Sequence, residues 1–232
     1  MRNSEMSQTR FRAIEPKILY FGTPVALISS LNEDGETNLA PISSFWTLGW
    51  TTMLGLLDET KTADNVRRHP ECVVNLPSPE MWEQVERLAP LTGKNPVPEL
   101  KTKQFHFEKE KFQAAGLTPM GSELVKPARA KECPVHMEAR VLAVRELRGE
   151  RLEQLGGGIA VEVEVVRVHV ASDLVIKDRY VDAGKWSPDL QLPALFQTRG
   201  SGTRKDVSRR GLSAKKPQDD QYDVAYSSKS GE

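Results

Sequence analysis

The chain has 232 residues, in which 32 Lys and Arg balance 32 Asp and Glu to a formal net charge of zero. That length suits one domain with extensions and is enough to bury a substantial core without disulfides. The zero balance argues against nucleic acid or anionic lipid as the main partner, no run approaches the roughly 18 apolar residues of a membrane span, and Cys72 and Cys133 stand far apart, outside disulfide-framework or metal spacing.

Residues 1–11 read as a flexible polar lead-in without a signal pattern, so a reducing cytoplasm is the expected location. The apolar run 24–31 predicts a strand, stopped by Asn32-Glu33-Asp34-Gly35. Asp34-Gly35 predicts a type I′ hairpin turn, because both central positions of that turn need positive φ. Residues 37–45 form the returning strand, and Pro41 within it calls for an edge, a bulge or a loop. Runs 51–57 and 72–76 have strand length. Between them Thr62 reads as the N-cap of a short helix over 62–69. A second helix is predicted over 79–88, with Ser78 as cap and Pro79 in the first position. A third covers 107–115 and ends at Gly116.

Residues 135–144 alternate, with Val135, Met137, Ala139 and Val141 on one face and His136, Glu138 and Arg140 on the other. Residues 159–170 alternate until the phase flips at Val165-Val166, which a bulge or burial on both faces would explain. Gly156-Gly157-Gly158 predicts the loop between these two strands. Many strands at short spacing, without a strand–helix rhythm, predict a mainly β protein: an antiparallel barrel or sandwich with a few connecting helices. Residues 199–232 carry eight basic and five acidic side chains, a net of +3, and leave −3 on the rest. That tail has too few apolar residues to offset the entropy of ordering it, so a disordered basic extension is expected. The folded unit is then residues 12–198.

The stretch with most chemical content is Asn38-Leu-Ala-Pro-Ile-Ser-Ser-Phe45. Small residues and a proline after a hairpin strand make an open, rigid backbone. Ser43 and Ser44 add hydroxyls. A helix then begins, and its N-terminus favours an anion. Thr62 and Asn65 share one side of its first turn, and Lys61 adds a cation. Together these residues suit a phosphate, with a flat apolar ring along 41–45. An ordinary strand, turn and cap would account for the same residues. His69, His106, His136 and His169 have no metal-ligand spacing, and no metal site is expected. His136 and His169 meet only if their strands pair; two surface histidines are the simpler reading. Trp46 and Trp50 suit a cleft, a core or a dimer interface equally. No Ser-His-Asp, Cys-His or paired-carboxylate constellation presents itself, so no catalytic residue is named. There is no GxGxxG sequence.

The ordered set Pro24-Val-Ala-Leu-Ile-Ser-Ser30, Asp34-Gly35, Asn38 to Phe45, Thr62-Ala-Asp-Asn65 and Val73-Val-Asn75 resembles the flavin-reductase-like family of FMN-binding split β-barrels. Ala115-Gly-Leu-Thr118, Cys133-Pro-Val-His-Met-Glu138 and the 161–170 strand extend the resemblance over residues 18–198. It implies an antiparallel Greek-key split β-barrel, a homodimer, and FMN bound non-covalently, with FAD as the alternative. It places the ring along Ala40, Pro41, Ile42, Ser43, Ser44 and Phe45. It places the phosphate near Ser43, Ser44, Thr62 and Asn65. NAD(P)H is the implied transient reductant, and a small molecule the implied acceptor or substrate. Flavin reduction, turnover of an organic substrate, and storage or sensing of flavin or haem all stay open. Where many relatives carry Lys-Asp-Thr before the helix, this chain has Thr60-Lys61-Thr62, which shifts the cation by one residue. Residues 77–113 are longer and more polar than in the plainest members, which suits a lid, a substrate-shaping insert or a dimer arm.

Overall fold

In the computed structural model the described residues are 11–15, 19, 23–177 and 179–187. The expected flexible lead-in and basic tail lie largely or wholly outside them. Seven strands make one sheet: β1 (Ala26–Leu31), β2 (Thr37–Ile42), β3 (Phe45–Leu48), β4 (Thr51–Leu57), β5 (Glu71–Leu76), β6 (Val135–Leu147) and β7 (Gly158–Val170). Their order is β2-β1-β5-β6-β7-β4-β3, and every pairing within it is antiparallel. Strands β2 and β3 are therefore the two edges. They follow each other in the chain, and Gly55 N–H on β4 donates to the Ser44 carbonyl at 2.6 Å. Pro41 sits on the β2 edge, where its missing N–H costs the sheet nothing.

The hairpin between β1 and β2 differs from the predicted type I′ turn. Gly35 has φ +86°, but Asp34 does not share the left-handed region. Gly35 N–H donates to the Asn32 carbonyl at 3.1 Å, and Asn32 N–H to the Glu36 carbonyl at 2.8 Å. The loop is thus a turn of three residues closed by one left-handed glycine. Strand β1 is buried along almost its whole length because both its faces are covered. Ala26 and Ile28 pack with Leu54, Leu56, Val66, Val74, Ile159 and Val161 in one core. Val25 and Leu27 pack with Leu39, Met81, Val85, Leu88 and Phe112 in another. The second core is closed by helices α2 (Trp82–Leu88) and α3 (Lys111–Ala115), so much of the 77–113 segment is packed against the sheet. A single-turn helix over Pro79–Met81 precedes α2, and Ser78 makes no side-chain cap bond. Helix α3 is shorter than predicted, because His106–Phe107 pairs as a short parallel strand with Leu91–Thr92.

The phase flip in β7 is a bulge. Glu138 pairs with Arg167 and Ala139 with Val165, which leaves Val166 without a partner. The loop from β6 to β7 contains a short helix, Glu150–Glu153, before the glycines.

Candidate functional site

Helix α1 (Lys61–Arg68) starts one residue earlier than predicted, and its cap is Thr60, not Thr62. Thr60 Oγ1 accepts from Ala63 N–H at 3.2 Å and donates to the Leu57 carbonyl at 2.8 Å. Thr62 and Asn65 share one side of the first turn, as their spacing requires, and that side is buried. Asn65 Nδ2 donates to Ser30 Oγ (3.1 Å) and Asn32 Oδ1 (2.9 Å), while its Oδ1 accepts from Arg68. Thr62 Oγ1 accepts from Asn38 Nδ2 at 3.2 Å. Asn65 is therefore a strut between α1 and β1, whereas the Thr62 hydroxyl keeps its proton for a further acceptor. Lys61 pairs with Glu33 across the hairpin, and the Glu33 carboxyl is held below its ordinary range chiefly by that bond.

Two more lysines reach the same turn, and a third, Lys111, is buried further along the segment after α2. Lys94 Nζ lies 2.5 Å from Asp64 Oδ2 in the first turn of α1. Lys101 is 9% exposed, and its Nζ donates to the Glu59 carbonyl, one residue before the cap, at 2.5 Å. Lys111, the first residue of α3, is 3% exposed and makes no hydrogen bond or ion pair with the described residues. Burial pushes the Lys111 ammonium down to about 7, with Glu108 opposing and Lys101 reinforcing the shift. Burial also lowers Lys101, against the pull of Glu59 and Asp64 and with the push of Lys94. A buried ammonium without an anion is costly.

Ala40, Pro41 and Ile42 lie on the β2 edge, opposite Ile28, Leu27 and Ala26. Ser43 and Ser44 stand outside any strand, between β2 and β3. Ser43 is buried, and Ser44 Oγ donates to the Gly55 carbonyl at 2.6 Å. Gly55 permits this approach, since a Cβ there would lie 3.1 Å from Ser44 Cβ. Phe45 opens β3 and packs, with Ile42, against the inner core. The backbone of 40–45 is thus a rigid edge, held from below and open alongside. Between the 32–38 hairpin, α1 and the segment from Gly93 to Lys109 lies a cleft of about 350 Å³, with Asn38, Lys61 and Phe107 in its lining. Ion pairs close its seams: Lys61–Glu33, Lys94–Asp64 and Lys109–Asp34.

The family model for the flavin reductase like domain matches residues 18–200 of this chain. The chain belongs to that family. It is 43% identical over 181 residues to the uncharacterized protein YdfE of Bacillus subtilis (strain 168), a match covering 77% of this chain and 84% of that protein. Among solved structures it is similar to nitrilotriacetate monooxygenase component B from Bacillus cereus, with TM-score 0.60 and 23% identity over 78% of this chain and 91% of that one. It is similar also to the flavoredoxin of Desulfovibrio vulgaris (Miyazaki F), with TM-score 0.61 and 17% identity over 77% and 86% of the two chains. The fold is thus the split β-barrel that the resemblance implied, and the protein is a flavin oxidoreductase-like enzyme.

The donor set suits a phosphorylated flavin. Lys101 is buried beside the start of α1, α1 begins with amides that have no intrahelical partner, and β2 offers an open sheet edge for a planar ring. Sequence reasoning missed Asn38 and Lys101 as members of this set, and the burial of Lys111. Lys111 precedes the Phe112 that anchors α3, and no periodicity separates it from a solvated lysine. Only the burial of its stem marks it out.

The two strand histidines also differ from expectation. His136 and His169 face each other across β6–β7, with ring centroids 6.3 Å apart, and His136 is buried. Its Nε2 bonds the Ala130 carbonyl at 2.8 Å, while its Nδ1 has no partner. Glu138, on the face expected to be polar, is wholly buried beneath residues 121–130. Burial pushes the Cys72 thiol up to about 12 and raises that of Cys133, so neither is a ready thiolate. Among the described residues no group of His, Cys, Asp and Glu is placed to hold a metal ion, and no helix is long and apolar enough to cross a membrane.

Proposed function

We propose that this protein is an FMN-dependent oxidoreductase of the flavin reductase kind, with NAD(P)H as the reductant and a small molecule as the acceptor. The observation that carries the reading is the match of residues 18–200 to the flavin reductase like domain, with Thr62 and the buried Lys101 gathered at the start of α1. Bound flavin would supply the redox chemistry, taking a hydride from NAD(P)H and handing electrons on. The chain's own residues bind and orient. The amides of Lys61 and Thr62, the Thr62 hydroxyl and the Lys101 ammonium hold the phosphate. Ser43 and Ser44 fix the edge along which the ring lies, through the bonds that tie Ser44 to Gly55. Asn65 and Asn38 hold Thr62 and the hairpin in register. No side chain is needed to move a proton, which agrees with thiols that burial keeps protonated.

The partner is a second copy of the chain. Trp46, Leu48 and Trp50, on the edge hairpin that follows the ring-binding segment, are 59%, 75% and 61% exposed. Such a patch calls for cover, and cover there would also shield the ring. Two buried, unbonded thiols suit a reducing cytoplasm. The cleft walled by Phe107 favours, as a second reading, an enzyme that also turns over an organic molecule of its own.

Apo-protein titrated with FMN tests the first reading. Stoichiometric binding of a chromophore that denaturation releases, with oxidation of NADH or NADPH on flavin addition, supports it. Absence of flavin binding, or binding with no nicotinamide oxidation under any flavin load, overturns it.

A further inference from the structure

Residues 118–133 form a hairpin, Pro119–Met120 against Arg129–Ala130, that pairs with none of the seven strands of the sheet. Side chains of the sheet hold it by its backbone instead. Thr37 Oγ1 accepts from Ala128 N–H at 3.0 Å, Glu71 Oε2 from Lys126 N–H at 2.9 Å, and Glu138 from Glu123 and Leu124 N–H. The grip is closest at Ala130. Asn75 Oδ1 accepts its N–H and His136 Nε2 donates to its carbonyl, each at 2.8 Å. Asn75 and His136 are partners in the β5–β6 ladder, so one rung of the sheet clamps one residue of the hairpin. A carbonyl only accepts, so Nε2 carries the ring proton and Nδ1 is bare. That Nδ1 is buried and has no partner among the described residues. A second proton there would have no acceptor, and a buried donor without one is costly. Arg129 and His169, whose ring stands edge-on at 6.3 Å, oppose the added charge. Glu138 favours it, but that carboxylate already takes His169 and two amides. Burial, only partly offset by the Ala130 bond, therefore holds His136 below its ordinary pKa.

We infer that residues 118–133 are a proton-released strap with His136 as its sensor: neutral His136 keeps the strap closed, and a second proton on its ring opens the strap as a unit while the sheet stays intact. The buried apolar side chains of the strap are few, Val125, Ala130 and Cys133, so polar bonds carry its attachment and can fail locally. The open strap exposes an ordinary histidine, which gains a proton below about pH 6.5, whereas the closed strap resists that proton. Closure thus loses stability as pH falls from about 7 toward the lowered value of His136. The other charges about the strap act differently. His69 lies 3.4 Å from Glu71, and His169 lies 2.7 Å from Glu138 and 3.9 Å from Glu123. A proton on either would face a carboxylate and tighten the strap, so of these histidines only His136 can open it. Arg129 stands 4.0 Å from Glu138, Arg167 3.6 Å from Glu123, and Arg140 donates to the Leu124 carbonyl at 3.4 Å; all three keep their charge throughout. Burial raises Glu138 and Glu132, but strap amides outweigh it and hold both below the ordinary carboxyl range, so they add a loss only in stronger acid.

The two cysteines report on the strap and the sheet separately. Cys133 lies in the strap and Cys72 in the central strand β5, and both are buried and unbonded. Full-length protein is treated with dithiodipyridine at pH 7.5 and pH 5.5, each rate is divided by that of glutathione at the same pH, and the modified cysteine is located by peptide mass spectrometry. The normalised rate at Cys133 should rise on acidification while Cys72 stays protected. His136→Gln keeps a donor for the Ala130 carbonyl but cannot take the proton. The rise in wild type should exceed that in His136→Gln by about fivefold, the effect of one proton resisted across this range. A Cys133 rate that does not rise, Cys72 rising in step with Cys133, or the same rise in His136→Gln overturns the inference. Hydrogen exchange of wild type decides without any substitution, should His136→Gln not fold. Protection relative to intrinsic rates should fall over residues 118–133 between the two pH values and hold over β5 and β6. Equal loss in strap and sheet, or no loss in the strap, overturns the inference.

Discussion

Glu138 accepts a hydrogen bond from His169 Nε2 at 2.7 Å, diagonally across the β6–β7 ladder, in which Glu138 itself pairs with Arg167 and His169 with His136. The same carboxylate accepts the backbone N–H groups of Glu123 (2.9 Å) and Leu124 (2.6 Å), so one buried side chain pins the 121–130 segment to the sheet. Burial by itself would raise its pKa. The two amides and His169 more than offset that, and the carboxyl is held below its ordinary range.

Glu138→Gln should therefore destabilise the protein by about 2–4 kcal/mol near neutral pH, because an amide brings N–H groups to a pocket made of N–H groups. The sign of the pH dependence follows from the depressed pKa. The carboxylate contributes fully above the unfolded carboxyl range and loses that contribution as pH falls through its folded pKa. Urea unfolding at neutral pH and near pH 3 checks this: the gap between wild type and variant should narrow in acid. A constant gap would mean that Glu138 acts through shape alone.

Gly93→Ala should cost about 1–3 kcal/mol, the range of forced overpacking. Lys61 can swing aside, but Asn38 cannot, since Nδ2 bonds to Ser30 and Thr62 fix its Oδ1 where the new methyl would go. Chemical denaturation measures the cost. The variant should also bind flavin more weakly, because the segment that carries Lys101 to the start of α1 begins at this residue. Wild-type stability with wild-type flavin affinity would show that the close approach is not needed.

The barrel was legible in the sequence because its signals are local. Alternation in 135–144, the phase flip at Val165-Val166 and Pro41 on a returning strand each have one cheap structural reading, and the sheet adopts it. The type I′ turn was misread because Asp-Gly fits both a two-residue loop with positive φ at both residues and a three-residue loop with positive φ at Gly35 alone. The cap moved from Thr62 to Thr60 because both are threonines, and only the inward bond from Asn38 decides between them. The site was half legible. Its strand and helix parts lie close in sequence, but Lys101 arrives from a segment some 40 residues further on. A lysine becomes informative only when tertiary packing buries it. Glu138 was hidden for the same reason: the polar face of a strand looks solvated until a distant loop covers it.

Lys111→Met should raise stability. The side chain is 3% exposed and burial disfavours its charge, so an apolar chain of similar length should stabilise the apo-protein by about 1–4 kcal/mol. The Lys111 pKa is depressed, to about 7. Between that value and the unfolded lysine range the unfolded chain binds more protons, so this residue makes wild-type stability rise as pH climbs from 7 toward 10. The variant should lack that rise, which unfolding measured at pH 7 and pH 9 checks. Loss of stability in Lys111→Met at neutral pH would count against a cost of burying this charge.

The exposed edge hairpin yields the last expectation. Trp46 and Trp50 flank a sheet edge, and a bare edge with large apolar side chains invites pairing with another chain. Sedimentation velocity should find wild type as a dimer and Trp46→Ser/Trp50→Ser as a monomer with unchanged circular dichroism. The exposed side chains bury little within the protomer, so their removal should leave its stability within about 0.5 kcal/mol. If the interface also covers the ring, the monomeric variant should release flavin faster, and its flavin fluorescence should be quenched more by iodide. A monomeric wild type would end the dimer proposal. A dimer that survives both substitutions would move the interface to another face.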